Sequence, residues 1–328
     1  MCINDVYKPC TGKRETMNQV QIIAPCQLVT RIKTENLIER YLAFVDVAKK
    51  SAETYAKAIK QLVIYLTLRN IEQPQREDII SFREELKATN HKASTIQTYI
   101  VSVRLFFKWT AQEGIYPNIA DNIKCPKVSR EHKKDYLTAN QIKNILKGID
   151  TSTLQGKRDY ALISLLVTCG LRTIEVVRAN KEDLQALGEN TVLYIQGKGR
   201  EDKAEYVKVP AQTEKAIREY LKERGKTEAS EPLFASLSNN SKGQRMTTRA
   251  IRGIVKENFL KAGYDSDRLT THSLRHTAVT LSLLAGKDIT EVQEFARHRN
   301  IATTMIYNHA LDKAKNSCSN AISDAIFA

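Results

Sequence analysis

The chain has 328 residues, of which 42% are hydrophobic and 27% charged, a balance typical of a folded protein and unlike that of a disordered chain. Its length favours two domains over one. Lys and Arg number 51 against 37 Asp and Glu, a formal charge of +14, which favours a polyanionic partner such as nucleic acid, although a basic surface without such a partner has the same composition.

The first part of the chain is predicted to be helical. Residues 1–30 show no sustained period and predict a flexible N-terminal arm. Within residues 31–118, apolar residues recur at intervals of three and four, as on the buried face of a helix. We therefore expect a helical domain there, with helices over 37–45, 55–66, 78–86 and 95–109.

A basic segment follows. Residues 119–135 contain Pro126 and the basic residues Lys124, Lys127, Arg130, Lys133 and Lys134, which predicts a linker between two domains. Two interpretations of this linker stay open at this point. It is either a solvated charged loop or a strap that lies along phosphates.

Residues 136–312 are predicted to form a second domain that surrounds a small sheet with helices. Residues 191–197 and 204–210 are predicted to be the two strands of a hairpin, because they are rich in β-forming residues and a polar turn joins them. A short third strand is possible around 183–187. Helical patterns cover residues 139–148, 158–169, 214–224, 247–262, 273–285 and 289–296. The fold class is therefore mainly α with a small antiparallel β-sheet.

Neither a membrane segment nor a metal site is expected. The sequence contains no apolar run of about 18 residues and no signal-peptide pattern at its start, so we expect a cytoplasmic protein without a membrane partner. The cysteines are scattered, without a CxxC pair or a histidine at ligand spacing, which favours free thiols.

Several polar residues stand at positions that structural roles explain poorly. Arg172 follows the helix-ending Gly170, and Lys198 lies at the predicted hairpin tip. His272 and Arg275 are three residues apart at a helix start and therefore share one face. His298 follows a helix end, and Tyr307 comes nine residues later. A single residue of this kind is more often only a solvated side chain. It is the combination of these residue types in this order that indicates an active site.

The ordered set resembles the tyrosine recombinase family, which includes phage integrases and chromosome-dimer-resolving recombinases. The matching segments are CGLRTIEV (169–176), GKG (197–199), HSLRH (272–276), RH (297–298) and MIY (305–307). The segment KASTIQTYIVSVRLFFKW (92–109) resembles the end of the family's core-binding domain, so the resemblance covers residues 30–310. Two residues depart from the pattern: Arg297 replaces a common glycine and Cys169 a common threonine.

The resemblance implies strand cleavage at a phosphodiester without metal or cofactor. Tyr307 would attack phosphorus and form a 3′-phosphotyrosine ester, which keeps the bond energy for religation. Arg172 and Arg275 would hold the non-bridging oxygens with planar, charged guanidinium groups.

The other matched residues would move or share protons. Lys198 would protonate the leaving 5′-oxygen, His272 would accept or share the proton of Tyr307, and His298 would hydrogen-bond the scissile phosphate. Glu175 would support the site, unless it forms only an ordinary pair one helical turn from Arg172. His276 and His309 match no family role and are expected to be packed or exposed histidines.

The resemblance also implies a two-domain clamp on double-stranded DNA, in which a core-binding (SAM-like) domain over 31–118 and a catalytic domain over 136–312 take opposite faces. Expected DNA contacts are Lys92, Ser94, Thr95, Thr98, Arg104, Lys108, Lys124 and Lys127. The tail over 313–328 has a small apolar face (Ile322, Ala325, Ile326, Phe327). In the family such tails dock on a neighbouring subunit, which implies a homotetramer on two DNA sites; a tail folded back in cis is the alternative.

The sequence thus predicts a site-specific DNA recombinase, acting in integration and excision of a mobile element or in multimer resolution, with accessory DNA-bending or directionality factors compatible with either role. Two alternatives remain at this point. One is a type IB topoisomerase-like enzyme, against which the separate helical domain and the apolar tail argue. The other is a catalytically inactive DNA-binding regulator, against which the complete residue set argues.

Overall fold

The structure is a computed structural model that describes residues 27–127, 135–197, 200, 202–315 and 318–327. The chain divides into two compact units, Met1–Ser129 and Arg130–Ala328. Lys198 and most of the basic linker residues (Arg130, Lys133 and Lys134) lie outside the described residues, as does most of the predicted arm. Among the residues that are described, no helix has both the length and the apolar character that crossing a membrane requires.

Helices build the described part of the first unit: α1 (Leu28–Thr34), α2 (Leu37–Phe44), α3 (Lys49–Leu68), α4 (Arg76–Ala88) and α5 (Ala93–Gln112). Each of the four predicted helices is present. Helix α1 was not predicted, and its first residues fall within the segment interpreted as a flexible arm. Leu28 and Val29 are buried there, because they pack into the core of the unit.

Helix α5 lies at the centre of this core. Its aromatic residues Phe106 and Trp109 contact the ring of Tyr41 from α2 at centroid distances of 5.4 and 5.6 Å. Ala120 and Ile123, which lie in the segment predicted to be linker, are also buried in this core. Residues 119–123 therefore belong structurally to the first unit, because their apolar side chains complete its packing.

The second unit contains helices around a three-stranded sheet. Its helices are α6 (Ala139–Lys147), α7 (Leu154–Thr168), α8 (Thr173–Arg178), α9 (Ala211–Arg224), α10 (Thr248–Lys261), α11 (Thr271–Leu284), α12 (Ile289–Ala296), α13 (Ile301–Lys315) and α14 (Cys318–Phe327), and its strands are β1 (Leu184–Leu187), β2 (Asn190–Ile195) and β3 (Glu205–Val209). The predicted fold class, mainly α with a small antiparallel sheet, is confirmed. The segment predicted to be a tail from residue 313 begins inside α13.

Helix α7 forms the centre of the second unit. It packs against α9 and α11, and Leu162, Leu165 and Leu166 are completely buried. The sheet has the antiparallel order β1-β2-β3, with Leu193 of β2 paired to Leu184 on one side and Val207 on the other. Residues 161–167 of α7 (ALISLLV) are apolar apart from one serine and are all buried, as expected of a helical segment that is enclosed on all sides.

Candidate active site

Five of the six predicted catalytic residues come together in the second unit. Arg172 precedes α8, His272 and Arg275 lie in the first turns of α11, His298 follows α12, and Tyr307 lies in α13. Hydrogen bonds, ring contacts and electrostatic interactions link these positions, as described below. The sixth, Lys198, lies outside the described residues; Gly197 next to it accepts a hydrogen bond from Arg178 Nη1 at 3.1 Å.

Arg275 is almost completely buried, with 2% of its surface exposed. Its Nη1 donates to the carbonyl of Gly170 at 2.5 Å, and its Nη2 donates to the carbonyl of Ala296. Both carbonyls belong to turns that end helices, where the helix dipole is negative and stabilises a cation. Burial, together with the charges of Arg172 and Arg297, lowers the pKa of Arg275 to about 9. The guanidinium is thus held rigidly beside other positive charges.

The turn after α7 brings Arg172 to the same place. Gly170 has φ +56°, and a Cβ at this position would lie 3.1 Å from the ring of Phe295, so both the backbone conformation and the space require glycine. Two residues later, the backbone N–H of Arg172 donates to Oε2 of Glu175 at 2.8 Å, and its Nη1 donates to Oε1 at 2.9 Å. The carboxylate therefore caps α8 and orients the guanidinium at once.

Glu175 is fully buried and faces a second guanidinium. Arg297 Nη2 lies 3.0 Å from Oε2 of Glu175. Burial alone would raise the pKa of Glu175, but the charge of Arg297 and the hydrogen bonds and charge of Arg172 outweigh it and lower that pKa. The carboxylate is consequently ionised and shared by two cations, so it is more than an ordinary surface partner of Arg172.

Arg297 forms the turn that carries His298. The N–H of Arg297 donates to the carbonyl of Glu294 at 2.8 Å and that of His298 donates to Gln293 at 3.1 Å, which is the Schellman arrangement of a helix C-terminus. This arrangement needs a left-handed residue, and Arg297 adopts φ 52° and ψ 47°. Glycine adopts this conformation most readily, which explains the common glycine at this position, and Arg297 adopts it with both hydrogen bonds of the turn formed.

His298 is oriented by neighbours on both sides. Its Nδ1 lies 2.9 Å from Oγ1 of Thr304, and its carbonyl accepts a hydrogen bond from Nε2 of Gln293 at 3.0 Å. Burial and the charges of Arg275, Arg172, Arg297 and His272 lower the pKa of His298 to about 4. The imidazole is therefore neutral at physiological pH.

Tyr307 is also buried, with 6% of its surface exposed. Its ring packs against Val279 and Val292 and lies 6.3 Å from the ring of His298, nearly parallel to it. Burial raises the pKa of Tyr307 to about 12, although the charge of Arg275 acts in the opposite direction. The phenol is thus protonated at neutral pH and needs a group that takes its proton.

A residue without a predicted role lies beside this tyrosine. His276 is buried, and its ring centroid lies 5.1 Å from that of Tyr307 and 4.5 Å from that of His272, which is itself exposed. The spacing of four residues between His272 and His276 places both on one face of α11, which is the sequence signal that would have grouped them. Thr304, the hydrogen-bond partner of His298, also had no predicted role, and its place one helical turn before Tyr307 is the corresponding sequence signal.

The site has an excess of positive charge and opens to solvent. Three guanidiniums, those of Arg172, Arg275 and Arg297, lie around the carboxylate of Glu175. A cavity of about 1100 Å³ adjoins them, and the arginines of its lining outnumber the carboxylates: it is lined by Arg172, Arg200, Arg297 and Arg299 against Glu205 and Glu294, together with Tyr206 and His298. Such a cluster favours an anion with several oxygens, such as a phosphate. Among the described residues, no group of histidines, cysteines and carboxylates has metal-binding geometry.

The residues expected to contact DNA in the first unit lie mostly on its surface. Lys92 precedes α5 and is exposed, as are Ser94, Thr98 and Lys108, whereas Thr95 and Arg104 are half-buried. At 3.6 residues per turn, Ser94, Thr98, Arg104 and Lys108 fall within an arc of about 120° and so share one face of α5. Lys50 and Lys57 of α3, which were not predicted, line a groove with Ser94, Thr95 and Thr98. Lys124 and Lys127 are exposed after α5.

We expect His298 to make stability depend on pH. Its pKa is lowered from 6.5 to about 4 in the folded protein, so the unfolded chain binds a proton between these values and the folded protein does not. The neutral imidazole therefore stabilises the fold above pH 6.5, and this contribution is lost as the pH falls to about 4. Urea unfolding across this range should show a shallower pH dependence for His298→Asn than for the parent protein. Equal slopes would contradict the assignment.

Comparison with known proteins identifies both units. The second unit matches the phage integrase family over residues 135–314, and the first matches the phage integrase N-terminal SAM-like domain over residues 38–114. The chain is 28% identical over 285 residues to tyrosine recombinase XerD of Listeria innocua serovar 6a, which covers 84% of this chain and 94% of the relative. It is 31% identical over 237 residues to tyrosine recombinase XerC of Alcanivorax borkumensis, covering 71% and 74%.

Solved structures share the fold. A XerH site-specific recombinase bound to its difH substrate aligns with a TM-score of 0.66 and 20% identity, over 87% of this chain and 84% of that one. A lambda integrase dimer bound to a COC′ core site aligns with a TM-score of 0.64 and 15% identity, over 82% and 96%. At these identities the similarity shows the fold alone.

Proposed function

The chain belongs to the phage integrase family and is a site-specific tyrosine recombinase, and we propose that it cuts and rejoins DNA strands at the site formed by Arg172, Arg275, His298 and Tyr307. The observation that carries this proposal is the convergence of a buried tyrosine with buried and half-buried arginines in one positively charged cluster. A phosphodiester brought to this cluster would meet its nucleophile and its anion-binding groups together.

The proposed step exchanges one ester for another. Oη of Tyr307 attacks phosphorus, the bond from phosphorus to the 5′-oxygen breaks, and a 3′-phosphotyrosine forms. His272 takes up the phenolic proton in this proposal, and the ring of His276, which packs against both side chains, holds them near each other. Lys198 is proposed, from the resemblance alone, to protonate the departing 5′-oxygen. Religation is the reverse step, with a free 5′-hydroxyl as the nucleophile.

The arginines and His298 bind the phosphate in this proposal. Arg275 and Arg172 donate to the non-bridging oxygens, on which negative charge builds up as the pentavalent state forms. His298 is neutral, and we assign the Thr304 hydroxyl as the donor to Nδ1 in the proposed step; the ring proton then lies on Nε2, where it can reach a phosphate oxygen. Glu175 positions Arg172 and does not itself contact the phosphate.

Double-stranded DNA is the proposed partner of both units. The exposed face of α5 carries Ser94, Thr98, Arg104 and Lys108, whose hydroxyl and cationic groups suit backbone and groove contacts. The compared XerH and lambda integrase structures are DNA complexes. We propose that the two units act as a clamp on the DNA, joined by the basic segment 124–135.

A recombination assay tests this function. A supercoiled plasmid would carry two copies of the DNA that flanks the coding region, in direct orientation, and would be incubated with the purified protein without metal or ATP. Recombination predicts two smaller circles, each with one copy of the site. Relaxation of the plasmid without exchange would favour a topoisomerase-like enzyme, and binding without any strand breakage would favour an inactive regulator. The position of the crossover would show whether the substrate is a mobile-element end or a multimer junction.

Helix α14 supports the proposal of a homotetramer on two DNA sites. Its apolar residues Ile322, Ile326 and Phe327 are 59%, 65% and 83% exposed. An apolar face that the chain itself leaves exposed suits a neighbouring subunit. The double variant Ile326→Ser/Phe327→Ser is expected to bind a single DNA site normally but to lose the complex of four subunits in native gels, with a recombination yield at least about tenfold lower. An unchanged yield would contradict docking in trans and favour a tail folded in cis.

A further inference from the structure

Arg297 occupies a position where glycine would be easier to accommodate. It is the left-handed residue of the turn that ends α12, with φ 52° and ψ 47°. Side chains other than glycine rarely adopt this conformation, because their Cβ crowds the backbone. Five other non-glycine residues with positive φ in the described chain are four asparagines and one aspartate, the side chains that tolerate it best. Arginine at this position therefore calls for a compensating interaction.

The side chain supplies such interactions inside the site. Nη2 of Arg297 donates to Oε2 of Glu175 at 3.0 Å, and Nη1 donates to the carbonyl of Phe295 at 2.9 Å. Only 11% of the side chain is exposed. The carbonyl of Arg297 in turn accepts from Nη2 of Arg172 at 3.2 Å. One residue thus ties the turn before His298 to the turn that carries Arg172.

These contacts change how much positive charge the site offers. Without Arg297, the carboxylate of Glu175 would pair with Arg172 alone and neutralise it. With Arg297 present, the same carboxylate is shared between two guanidiniums, so Arg172 keeps more of its charge for an incoming anion. The charge of Arg297 also contributes to the lowered pKa of His298, after burial and the charges of Arg275 and Arg172.

We infer that Arg297 is a positioning residue for strand cleavage: its guanidinium holds Glu175, and through Glu175 and its own carbonyl it orients Arg172 toward the scissile phosphate. This inference rests on the proposed function. Arg297 is not a catalytic residue in this scheme, because the contacts of its guanidinium are to protein groups.

Substitutions at this one position separate positioning from stability. Arg297→Gly removes the guanidinium and relaxes the backbone, Arg297→Ala removes it and keeps the crowded backbone, and Arg297→Lys keeps a charge without the planar fork. Cleavage would be measured in single turnover, as covalent adduct on a nicked suicide substrate, beside DNA affinity and thermal stability. Arg218→Gln, on the exposed surface of α9, controls for loss of one positive charge.

We expect Arg297→Gly and Arg297→Ala to cleave about 10-fold to 100-fold more slowly than the parent, equally with each other, although the alanine variant is the less stable of the two. DNA affinity should change less than about threefold, because one site among many phosphate contacts is affected. In both variants His298 loses a neighbouring positive charge, so its pKa should rise and the fall of the cleavage rate on the acid side should occur at higher pH. Arg297→Lys restores a positive charge and should restore the parental acid limb.

The outcomes are distinguishable. Cleavage by Arg297→Gly at the parental rate and with the parental pH profile would overturn the inference and make Arg297 a tolerated replacement for glycine. Rates that follow thermal stability across the three variants would also overturn it, because a purely structural role predicts that pattern. Absence of adduct with the parent protein, in contrast, would refute the proposed function itself.

Discussion

Tyr307→Phe is expected to lower the rate of covalent adduct formation by a factor of about 10⁴ or more, while the fold and DNA affinity stay intact. The phenolic oxygen is the atom that bonds to phosphorus in the proposed step, and phenylalanine lacks it. The ring itself packs against Val279 and Val292, and phenylalanine preserves this packing. A nicked suicide DNA substrate and a denaturing gel would measure the adduct.

A matched tyrosine elsewhere in the same unit serves as the control. Tyr264 packs partly buried against the main core of the second unit, so Tyr264→Phe makes the same chemical change outside the site. This variant should form adduct at the parental rate. An adduct that survives denaturant in Tyr307→Phe would show that another residue is the nucleophile and would refute the central role of Tyr307.

The raised pKa of Tyr307 has a consequence for the mechanism. At about 12 it leaves very little phenolate at neutral pH, so attack on phosphorus requires transfer of the proton as the bond forms. The exposed ring of His272 and the buried ring of His276 form a continuous contact from solvent to the tyrosine. His272 lies at the solvent end of this contact, which suits it as the group that receives the proton in the proposed step.

The sequence predicted those elements whose signal is local and periodic. Helices such as α3 and α5 have apolar residues at regular intervals over several turns, and the hairpin of β2 and β3 has alternating residues on both sides of a polar turn. Helix α1 escaped prediction because it has only seven residues, too few for a period to emerge. Its burial depends on partners from α2 and α3, which a local pattern cannot show.

The candidate site was predictable in its members but not in its contacts. Motif order identified Arg172, Arg275 and Tyr307, because the resemblance constrains residue type and spacing. The pairing of Arg297 with Glu175 joins residues 122 apart in the chain, and it depends on a left-handed turn that sequence alone would assign to glycine. The neighbourhood of His276 and Tyr307 likewise arises from the packing of α11 against α13.

Lysine substitution of the two arginines is expected to have different effects on stability. Arg275 is 2% exposed, and each of its hydrogen bonds to the carbonyls of Gly170 and Ala296 contributes about 1.5–3 kcal/mol as a charge-assisted bond. Lysine cannot donate to both carbonyls in the same geometry, so Arg275→Lys should lower the melting temperature by about 5–10 °C. The side chain of Arg172 is 31% exposed, and Arg172→Lys should leave the melting temperature almost unchanged.

Both variants should cleave DNA about 10²-fold to 10³-fold more slowly, because each loses a fork that grips the phosphate oxygens. Their pH dependence should differ. The surroundings of Arg275 lower its pKa to about 9, which still leaves it charged at neutral pH. The ordinary pKa of lysine is about 2 lower than that of arginine. The same surroundings would therefore bring the pKa of a lysine at position 275 close to neutral pH.

Arg275→Lys is therefore expected to lose cleavage as the pH rises from about 6 to 8, whereas Arg172→Lys, at a more exposed position, should keep its charge across this range. Single-turnover cleavage measured at each pH, with DNA in excess over the binding constant, would separate this titration from any change in affinity. Identical pH profiles for the two lysine variants would contradict this prediction. They would mean that position 275 is neither more buried from solvent nor surrounded by more positive charge than position 172.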